Sequence, residues 1–208
     1  MINTQNTSKI DIAKLNLVTN PLIEQRISEF QELHKKDNKA WFSELCFCLL
    51  TANSKAATAI QIQNEIGPGG FLNFSENEIR NTIKKFGHRF HNNKTKYIVE
   101  ARKHAAIKDL LGTAPNIADK RIFLVQNIKG LGLKEASHFL RNVGYSEVAI
   151  IDRHILRWMK ENNFIKEIQK TITPRFYLEC ENILSSFGIP LDKLDLIIWQ
   201  KVTGKVLK

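Results

Sequence analysis

The sequence contains few cysteines and prolines, and its first twenty residues hold no long apolar run. The three cysteines, Cys46, Cys48 and Cys180, lack CxxC spacing and are too few for a four-cysteine iron–sulfur site. We therefore expect buried free thiols in a reducing compartment. The residues before Pro21 resemble neither a signal peptide nor a spanning helix, so we expect an intracellular protein with no membrane partner.

Positive charge is the main feature of the composition. The 208 residues include 31 Lys and Arg against 21 Asp and Glu, which gives a formal net charge of +10. Such a balance favours polyanionic partners, with nucleic acid first and an anionic membrane surface second. The strongest local cluster of basic residues consists of Lys84, Lys85, His88, Arg89, Lys94 and Lys96. A solvated helix face explains such a cluster equally well.

Helical periodicity dominates the chain, and short Pro or Gly stretches separate the periodic segments, so we predict an all-α fold. Ser75 lies three residues before Glu78, which predicts a capping box at the start of a helix. The predicted helices cover about 21–34, 39–52, 55–66, 76–86, 94–107, 118–127, 133–143, 152–161, 174–187 and 191–203.

The stretch from Gln126 to Ala136 is the most informative motif. A helix end is followed by Gly130-Leu131-Gly132 and then by a second helix start. Two glycines around one apolar residue let backbone N–H groups approach a phosphate, and the helix N-terminus adds partial positive charge. This pattern is typical of a helix-hairpin-helix clamp on a DNA backbone. An ordinary helix–helix corner with a glycine cap is the alternative.

The helix after this turn has two faces. The predicted buried stripe consists of Ala136, Phe139, Leu140 and Val143. Another face, which we expect to lie outside the core, carries Lys134, His138 and Arg141. On spacing alone, a solvated lysine or a phosphate contact is a more common role for Lys134 than catalysis.

A second candidate site is the aspartate that follows an apolar extended run, Val148 to Ile151. Asp152 opens the next helix, so it is expected to be an N-cap. A carboxylate fixed in this way also stabilises a cation-like transition state next to it. The two roles are compatible.

These segments resemble the helix-hairpin-helix DNA glycosylases, and closely the archaeal-type 8-oxoguanine DNA glycosylase/lyases. The resemblance extends from Trp41 to Lys208 and is most specific in residues 128–144, 149–155 and 203–208. Lys134 matches the nucleophile of that family and Asp152 matches its carboxylate. Glycosylases without lyase activity have no lysine at the nucleophile position, so the resemblance implies a bifunctional enzyme.

The resemblance implies an all-α helix-hairpin-helix glycosylase fold in which two helical subdomains flank the active-site cleft. We expect residues 37–146 to form a six-helix barrel-like subdomain that contains the hairpin at about 118–143. Residues 1–36 and 147–208, from both chain ends, are expected to form the second subdomain.

The implied reaction begins when a damaged nucleotide is flipped out of duplex DNA. Lys134 attacks the anomeric carbon while Asp152 stabilises the oxocarbenium-like charge. β-Elimination from the resulting Schiff base then cuts the strand 3′ to the abasic site, without a metal or nucleotide cofactor. A free lysine is neutral in only about one molecule in two thousand at neutral pH, so we expect partial burial and neighbouring cations such as Lys129 or Arg141 to favour the free amine.

Further site residues are implied by the same resemblance. Phe90 and Trp199 would stack on the flipped purine, and the α-carboxylate of Lys208 would read the hydrogen on N7 of 8-oxoguanine. Asn53 would fill the gap left by the flipped base, and Arg89 would contact the unpaired cytosine. The hairpin residues Gly130, Gly132 and His138 would contact the DNA, and a monovalent cation is possible at the carbonyls of Gln126, Ile128 and Leu131.

The expected partner is double-stranded DNA containing 8-oxoguanine, bound by a monomer in the cytoplasm at the nucleoid. Two alternative functions stay open. The first is a glycosylase/lyase of the same superfamily that acts on oxidised pyrimidines, against which the missing iron–sulfur cysteines and the presence of Trp199 and Lys208 count. The second is a non-catalytic helix-hairpin-helix DNA-binding module in which Lys134 only holds a phosphate.

Overall fold

A computed structural model describes residues 18 and 20–208, and these residues form eleven α-helices and no strand. The all-α prediction is therefore confirmed. The helices are α1 (Pro21–Lys35), α2 (Asn38–Thr51), α3 (Ala56–Asn73), α4 (Glu76–Lys85), α5 (His91–Ala101), α6 (Ile107–Gly112), α7 (Ile117–Asn127), α8 (Leu133–Asn142), α9 (Arg153–Glu161), α10 (Pro174–Ser185) and α11 (Leu191–Thr203). A short 3-10 helix, Arg102–His104, follows α5. No helix in the described part of the chain has the length and apolar composition needed to cross a membrane.

The chain divides into two compact units. One consists of residues 30–144, and the other combines the described residues before position 30 with residues 145–208. The functional subdomains expected from the sequence, with limits at residues 36 and 146, remain a prediction.

Helix α2 is the core of unit 30–144. All of its residues from Trp41 to Thr51 are buried, and it packs against α3, α5, α6 and α8. The Asp37 side chain caps its start by accepting a hydrogen bond from Ala40 N at 2.9 Å. Cys46 and Cys48 lie in this helix, and both are buried and outside any disulfide bond, as is Cys180. The prediction of buried free thiols is confirmed.

Two local details differ from the predicted helices. Helix α3 continues past residue 66 after a kink at Gly67 (φ 66°), which precedes Pro68. The predicted helix 94–107 begins within three residues of α5, but its C-terminal end is wrong, because α5 spans His91–Ala101 and α6 starts a separate helix at Ile107. The N–H of Lys108 in the first turn of α6 is bound by the Asn38 side chain at 2.8 Å. This partner lies 70 positions earlier in the chain.

The predicted capping box is confirmed at the start of α4. Ser75 N donates to Glu78 Oε2 at 2.7 Å, and Glu78 N donates to Ser75 Oγ at 3.3 Å. In the other unit, α11 packs against α9 and α10.

Candidate active site

The predicted hairpin is present between α7 and α8. Gly130 has a φ of 94°, and a Cβ added there would lie 2.5 Å from Cδ2 of Tyr97, so only glycine fits this position. Gly132 occupies the N-cap position of α8, and having no side chain it accepts no hydrogen bond from the backbone of the helix. The free N–H groups in the first turn of α8 are therefore not occupied by a capping side chain, which is the arrangement that binds phosphate at a helix N-terminus.

The turn of the hairpin is closed by its own backbone. Leu131 N donates to the carbonyl of Ile128 at 3.2 Å, and Ile128 N donates to that of Leu124 at 3.0 Å. A carbonyl oxygen has two lone pairs, so the Ile128 bond does not preclude a second interaction. The cation site at Gln126, Ile128 and Leu131 stays a prediction.

Lys134 is the second residue of α8 and is half-exposed, with 37% of its side chain accessible. Its Nζ lies 3.5 Å from Oε1 of Glu135, whose side chain is 15% exposed. The other oxygen of this carboxylate lies beside Gly132, at 3.5 Å from the point where a Cβ would stand. A carboxylate is favourable in the first turn of a helix, so Glu135 is held next to the candidate nucleophile.

The stripe predicted for α8 is buried as expected, but the opposite face is not solvated. His138 and Arg141 are buried, so their placement outside the core was wrong. The His138 ring packs edge-on at 5.5 Å from that of Phe47, and the Arg141 guanidinium lies 5.1 Å from the Phe30 ring. The apolar periodicity of a helix identifies only the face that packs on the main core. The face of α8 that carries His138 and Arg141 is also covered, by the rings of Phe47 and Phe30. Direct contact of His138 with DNA stays a prediction.

His88 anchors the loop that carries two predicted DNA contacts. Its Nδ1 accepts from Phe90 N at 3.2 Å, so Nε2 is the protonated nitrogen and donates to the carbonyl of Leu50 at 2.9 Å. Burial lowers the pKa of His88, which favours this neutral form. The exposed Arg89 places its guanidinium 4.4 Å from the centre of the half-buried Phe90 ring. The hydrogen bond from His88 to Leu50 connects this loop to the last turn of α2.

Asn53 follows the same end of α2 and is exposed, with a φ of 60°. A positive φ is uncommon outside glycine, although asparagine tolerates it best, and such backbone is found often at functional sites. The structure therefore brings the Asn53 turn and the Arg89–Phe90 loop to one end of one helix.

In the other unit, the extended segment 148–151 positions Asp152. The segment is buried, and side chains from α10 and α11 bind its backbone N–H groups. Glu181 binds Ala149 N at 3.1 Å, Asp195 binds Ile150 N at 2.8 Å and the Tyr177 hydroxyl binds Ile151 N at 3.2 Å. Buried backbone groups require such partners, so these three side chains fix the chain just before Asp152.

Asp152 is the N-cap of α9, as predicted. Its Oδ1 accepts from His154 N at 2.8 Å and from Ile155 N at 2.9 Å. Its Oδ2 forms no hydrogen bond with the described residues. One oxygen caps the helix while the other is left to interact with a bound group.

Trp199 in α11 and Asp152 have a neighbour in common, His154. The two rings are 4.6 Å apart in an edge-to-face arrangement. Trp199 Nε1 and His154 Nδ1 are both buried and have no hydrogen-bond partner among the described residues. Buried polar atoms are normally satisfied, so these two atoms are candidates for contact with a bound group.

The chain turns sharply after α11. Gly204 has a φ of 72° and donates its N–H to the carbonyl of Gln200 at 2.7 Å. Val206, Leu207 and Lys208 are all partly buried, in contrast to a frayed terminus. The turn expected at Gly204 is confirmed, and the role of the Lys208 carboxylate stays a prediction.

A family model described as 8-oxoguanine DNA glycosylase matches residues 23–192. The chain belongs to the 8-oxoguanine DNA glycosylase family. It is 54% identical over 191 residues to the 8-oxoguanine DNA glycosylase/AP lyase of Methanocaldococcus jannaschii, covering 90% of this chain and 92% of that protein. It is 41% identical over 210 residues to the protein of the same name from Aquifex aeolicus, covering 89% and 92%.

Solved structures agree with this assignment. The crystal structure of the Methanocaldococcus jannaschii 8-oxoguanine glycosylase/lyase with a 15mer DNA containing 8-oxoguanine matches with a TM-score of 0.85 at 50% identity, covering 96% of this chain and 94% of that one. The 8-oxoguanine DNA glycosylase of Thermotoga maritima matches with a TM-score of 0.82 at 43% identity, covering 90% and 92%. The resemblance stated from the motifs is confirmed.

Sequence reasoning missed four residues at the site of this family member. Glu135 directly follows Lys134 and His154 lies two positions after Asp152, yet we assigned neither a role. His88 and Lys94 were assigned to a basic surface cluster, but both are buried. The available signal was Phe90, a large apolar residue within the basic cluster, because phenylalanine is often buried and brings its neighbours in the chain towards the core.

Proposed function

We propose that this protein is a bifunctional DNA repair glycosylase that excises 8-oxoguanine from duplex DNA and cleaves the strand at the resulting abasic site. One observation carries the lyase part: a half-exposed lysine, Lys134, starts the helix after the Gly130–Gly132 hairpin in a chain of this family. The net charge of +10 supports a polyanionic partner.

The hairpin supplies the DNA clamp in this proposal. Backbone N–H groups near Gly130 and at the start of α8 bind a phosphate, and positive charge on the protein releases counterions from the duplex. Asn53 occupies the space left by the flipped nucleotide, and Arg89 contacts the opposite cytosine. The protein acts as a monomer on DNA in the cytoplasm.

Base recognition requires flat surfaces and an acceptor. Phe90 and Trp199 stack on the flipped 8-oxoguanine, and the α-carboxylate of Lys208 accepts the N7 hydrogen that guanine lacks. The unpartnered Nε1 of Trp199 supports an occupied pocket on this side, because a buried donor is costly without an acceptor.

The chemistry begins with the neutral amine of Lys134, whose lone pair forms a bond to C1′ of the sugar. The bond from C1′ to N9 breaks, its electron pair stays with the base, and the base takes up a proton. Asp152 stabilises the positive charge that develops on the sugar. After ring opening gives an imine, loss of a C2′ proton expels the 3′ phosphate and cuts the strand.

Borohydride trapping tests the nucleophile. Lys134→Gln should bind duplex DNA while losing both strand cleavage and the covalent adduct, since borohydride forms a stable protein–DNA adduct only by reducing the imine between them. Lys103→Gln is the matched control, because Lys103 is an exposed lysine in the same unit. An adduct at normal yield on Lys134→Gln would show that another amine is the nucleophile.

A panel of duplexes with single lesions tests the substrate. Base release from 8-oxoguanine well above that from oxidised pyrimidines is the expected result. The opposite order would favour the oxidised-pyrimidine glycosylase. Binding without base release or trapping on any duplex would leave only a DNA-binding module.

A further inference from the structure

Lys94 lies in α5 and is only 5% exposed. Lysine is rarely buried without a partner, because removal of a charge from water is costly. Among the described residues, no hydrogen-bond acceptor and no carboxylate at ion-pair distance faces its ammonium group. Burial lowers the pKa of Lys94 to about 8, the charge of Glu135 opposes this change and the charge of Lys134 adds to it. Such a residue reduces the stability of the fold, so a functional role would explain why a lysine occupies this position.

The face of α5 that carries Lys94 lies along the hairpin. The Tyr97 ring, one turn after Lys94, packs on Gly130, and Glu100 forms an ion pair with Lys129 at 3.6 Å. Positions three apart share a helix face, so Lys94 extends this row of contacts towards the start of α8. The charges that act on it from α8 are those of Lys134 and Glu135.

Lys129 and Arg141, the two cations that we expected next to Lys134, have other partners. Lys129 pairs with Glu100, and Arg141 donates to Asn142 and lies over Phe30. Lys94, in contrast, lies close enough to the start of α8 to interact electrostatically with Lys134. The other titratable groups near Lys94 are Glu135 and the histidines His88 and His91 at the start of its own helix.

The Glu135 carboxylate interacts electrostatically with two lysines, with Lys134 as an ion pair and with Lys94 at longer range. Glu135 contacts Lys134 at 3.5 Å, and an ion pair of this kind competes with the attack on the sugar that the proposed reaction requires. Lys94 attracts the same carboxylate and repels the Lys134 ammonium group. Lys94 is buried and its neighbours restrict it, whereas the half-exposed Lys134 is the partner that is able to leave.

We propose that Lys94 is a positioning residue for the nucleophile, because its buried cation engages Glu135 and thereby releases Lys134 as a free amine. The proton that Lys134 loses passes to solvent. This inference rests on the proposed function, in which Lys134 attacks the sugar.

Single-turnover trapping on preformed abasic DNA across a pH range tests the inference. Lys94→Met removes the charge and nearly keeps the length of the side chain, whereas Lys94→Arg keeps the charge. Lys103→Met is the control at an exposed lysine. We expect Lys94→Met to trap about tenfold more slowly than Lys103→Met near pH 7 and to regain most of that loss by about pH 9.5. Lys94→Arg should stay within about threefold of the wild type.

The route through Glu135 has its own test. Glu135→Gln removes the charge, and glutamine suits the same position of a helix start. Lys94→Met should therefore have a much smaller effect on trapping in a Glu135→Gln background, where only the direct repulsion between Lys94 and Lys134 is left. An equal loss in both backgrounds would overturn the proposal that Lys94 acts through this carboxylate.

A purely structural role predicts different results. Removal of an unpaired buried charge should leave the melting temperature at neutral pH unchanged or raise it. A pH profile of Lys94→Met that matches Lys103→Met would overturn the proposal, as would a uniform loss at every pH with a lower melting temperature. Failure of the proposed function is distinguishable, because the wild type would then not trap or Lys134→Gln would trap normally.

Discussion

The carboxylate of Asp152 has two oxygens in different situations. Oδ1 accepts hydrogen bonds from two backbone N–H groups of α9, while Oδ2 forms none with the described residues. The bonded oxygen fixes the side chain in one orientation. The helix cap and the proposed electrostatic role therefore use different atoms of the same residue.

Asp152→Asn should separate these two roles. The amide oxygen takes the place of Oδ1 at the cap, so the melting temperature should change little, because Asn and Asp cap equally well. The amide nitrogen then replaces Oδ2, and a neutral donor stands where the proposed mechanism needs a negative charge. We expect single-turnover release of 8-oxoguanine to fall by at least about 100-fold.

Asp152→Ala is the companion variant for this measurement. It should lose the cap as well and destabilise the protein by about 1 kcal/mol. Release of the base by Asp152→Asn at the wild-type rate, with an unchanged melting temperature, would assign Asp152 to helix capping alone.

The sequence was sufficient for the residues whose role depends on a local motif. The Gly130 turn, the N-cap at Asp152 and the turn at Gly204 all follow from neighbouring residues, and the structure confirms them. Lys94 and His88 could not be placed in this way. Their surroundings include residues distant in sequence, such as Leu50 for His88 and Glu135 for Lys94, which lie about 40 positions away in the chain.

At the scale of an element, the two glycines of the hairpin have different requirements. Gly130→Ala should destabilise the protein by about 1–3 kcal/mol, because it places a side chain at a φ of 94° and against the Tyr97 ring. Gly132→Ala is the control. Its φ is −98° and its nearest neighbour would lie at an ordinary 3.5 Å, so strain should be absent.

Denaturant unfolding of both variants checks this prediction. Gly130→Ala should also weaken DNA binding, because the turn must shift to accommodate the new Cβ. A Tyr97→Leu background should recover part of the lost stability by opening space. Equal stability of the two glycine variants would mean that the hairpin adapts without strain.

The segment after α11 gives a prediction about specificity. Deletion of Lys208, or a tag fused behind it, should cripple excision of 8-oxoguanine while largely sparing cleavage at preformed abasic sites, where no base is read. The partly buried residues after Gly204 support an ordered position for this carboxylate. The measurement is a comparison of single-turnover rates on the two substrates.

Two outcomes would contradict that prediction. Equal rates for tagged and untagged enzyme on the 8-oxoguanine duplex would remove the terminal carboxylate from the recognition site. A proportional loss on both substrates, with a lower melting temperature, would point to damage of the fold.

Most helices were predictable because their apolar periodicity and their caps are local. The capping box at Ser75 is an example, since both partners lie within four residues. Helix α6 was missed because it has only six residues, and Asn38 of α2 supplies a partner for its N-terminus. The continuation of α3 beyond Gly67 was missed because Gly-Pro usually ends a helix, whereas here it produces a kink.

At the scale of the whole molecule, the pH dependence of stability should carry the signature of Lys94. Burial lowers its pKa from 10.5 to about 8 in the folded chain. Between these two values the unfolded chain holds a proton that the folded chain does not, so the free energy of unfolding should rise with pH in that window. Lys94→Met lacks this contribution.

The difference in unfolding free energy between the wild type and Lys94→Met isolates this group, since the other titrations cancel. The wild type should be the less stable protein below about pH 8 and should approach the variant as the pH rises towards about 10.5. A difference that does not vary with pH would show that Lys94 keeps its ordinary protonation in the folded chain.

The buried segment before Asp152 has a consequence for the order of synthesis. Its backbone is held by Tyr177, Glu181 and Asp195, which a ribosome adds after both Lys134 and Asp152. A nascent chain therefore carries the amine well before its carboxylate is fixed in position. Translation that stops before α11 leaves Ile150 N without its acceptor, so an interrupted product has the amine but lacks a placed carboxylate. We expect strand-cutting capacity to appear only when translation is almost complete.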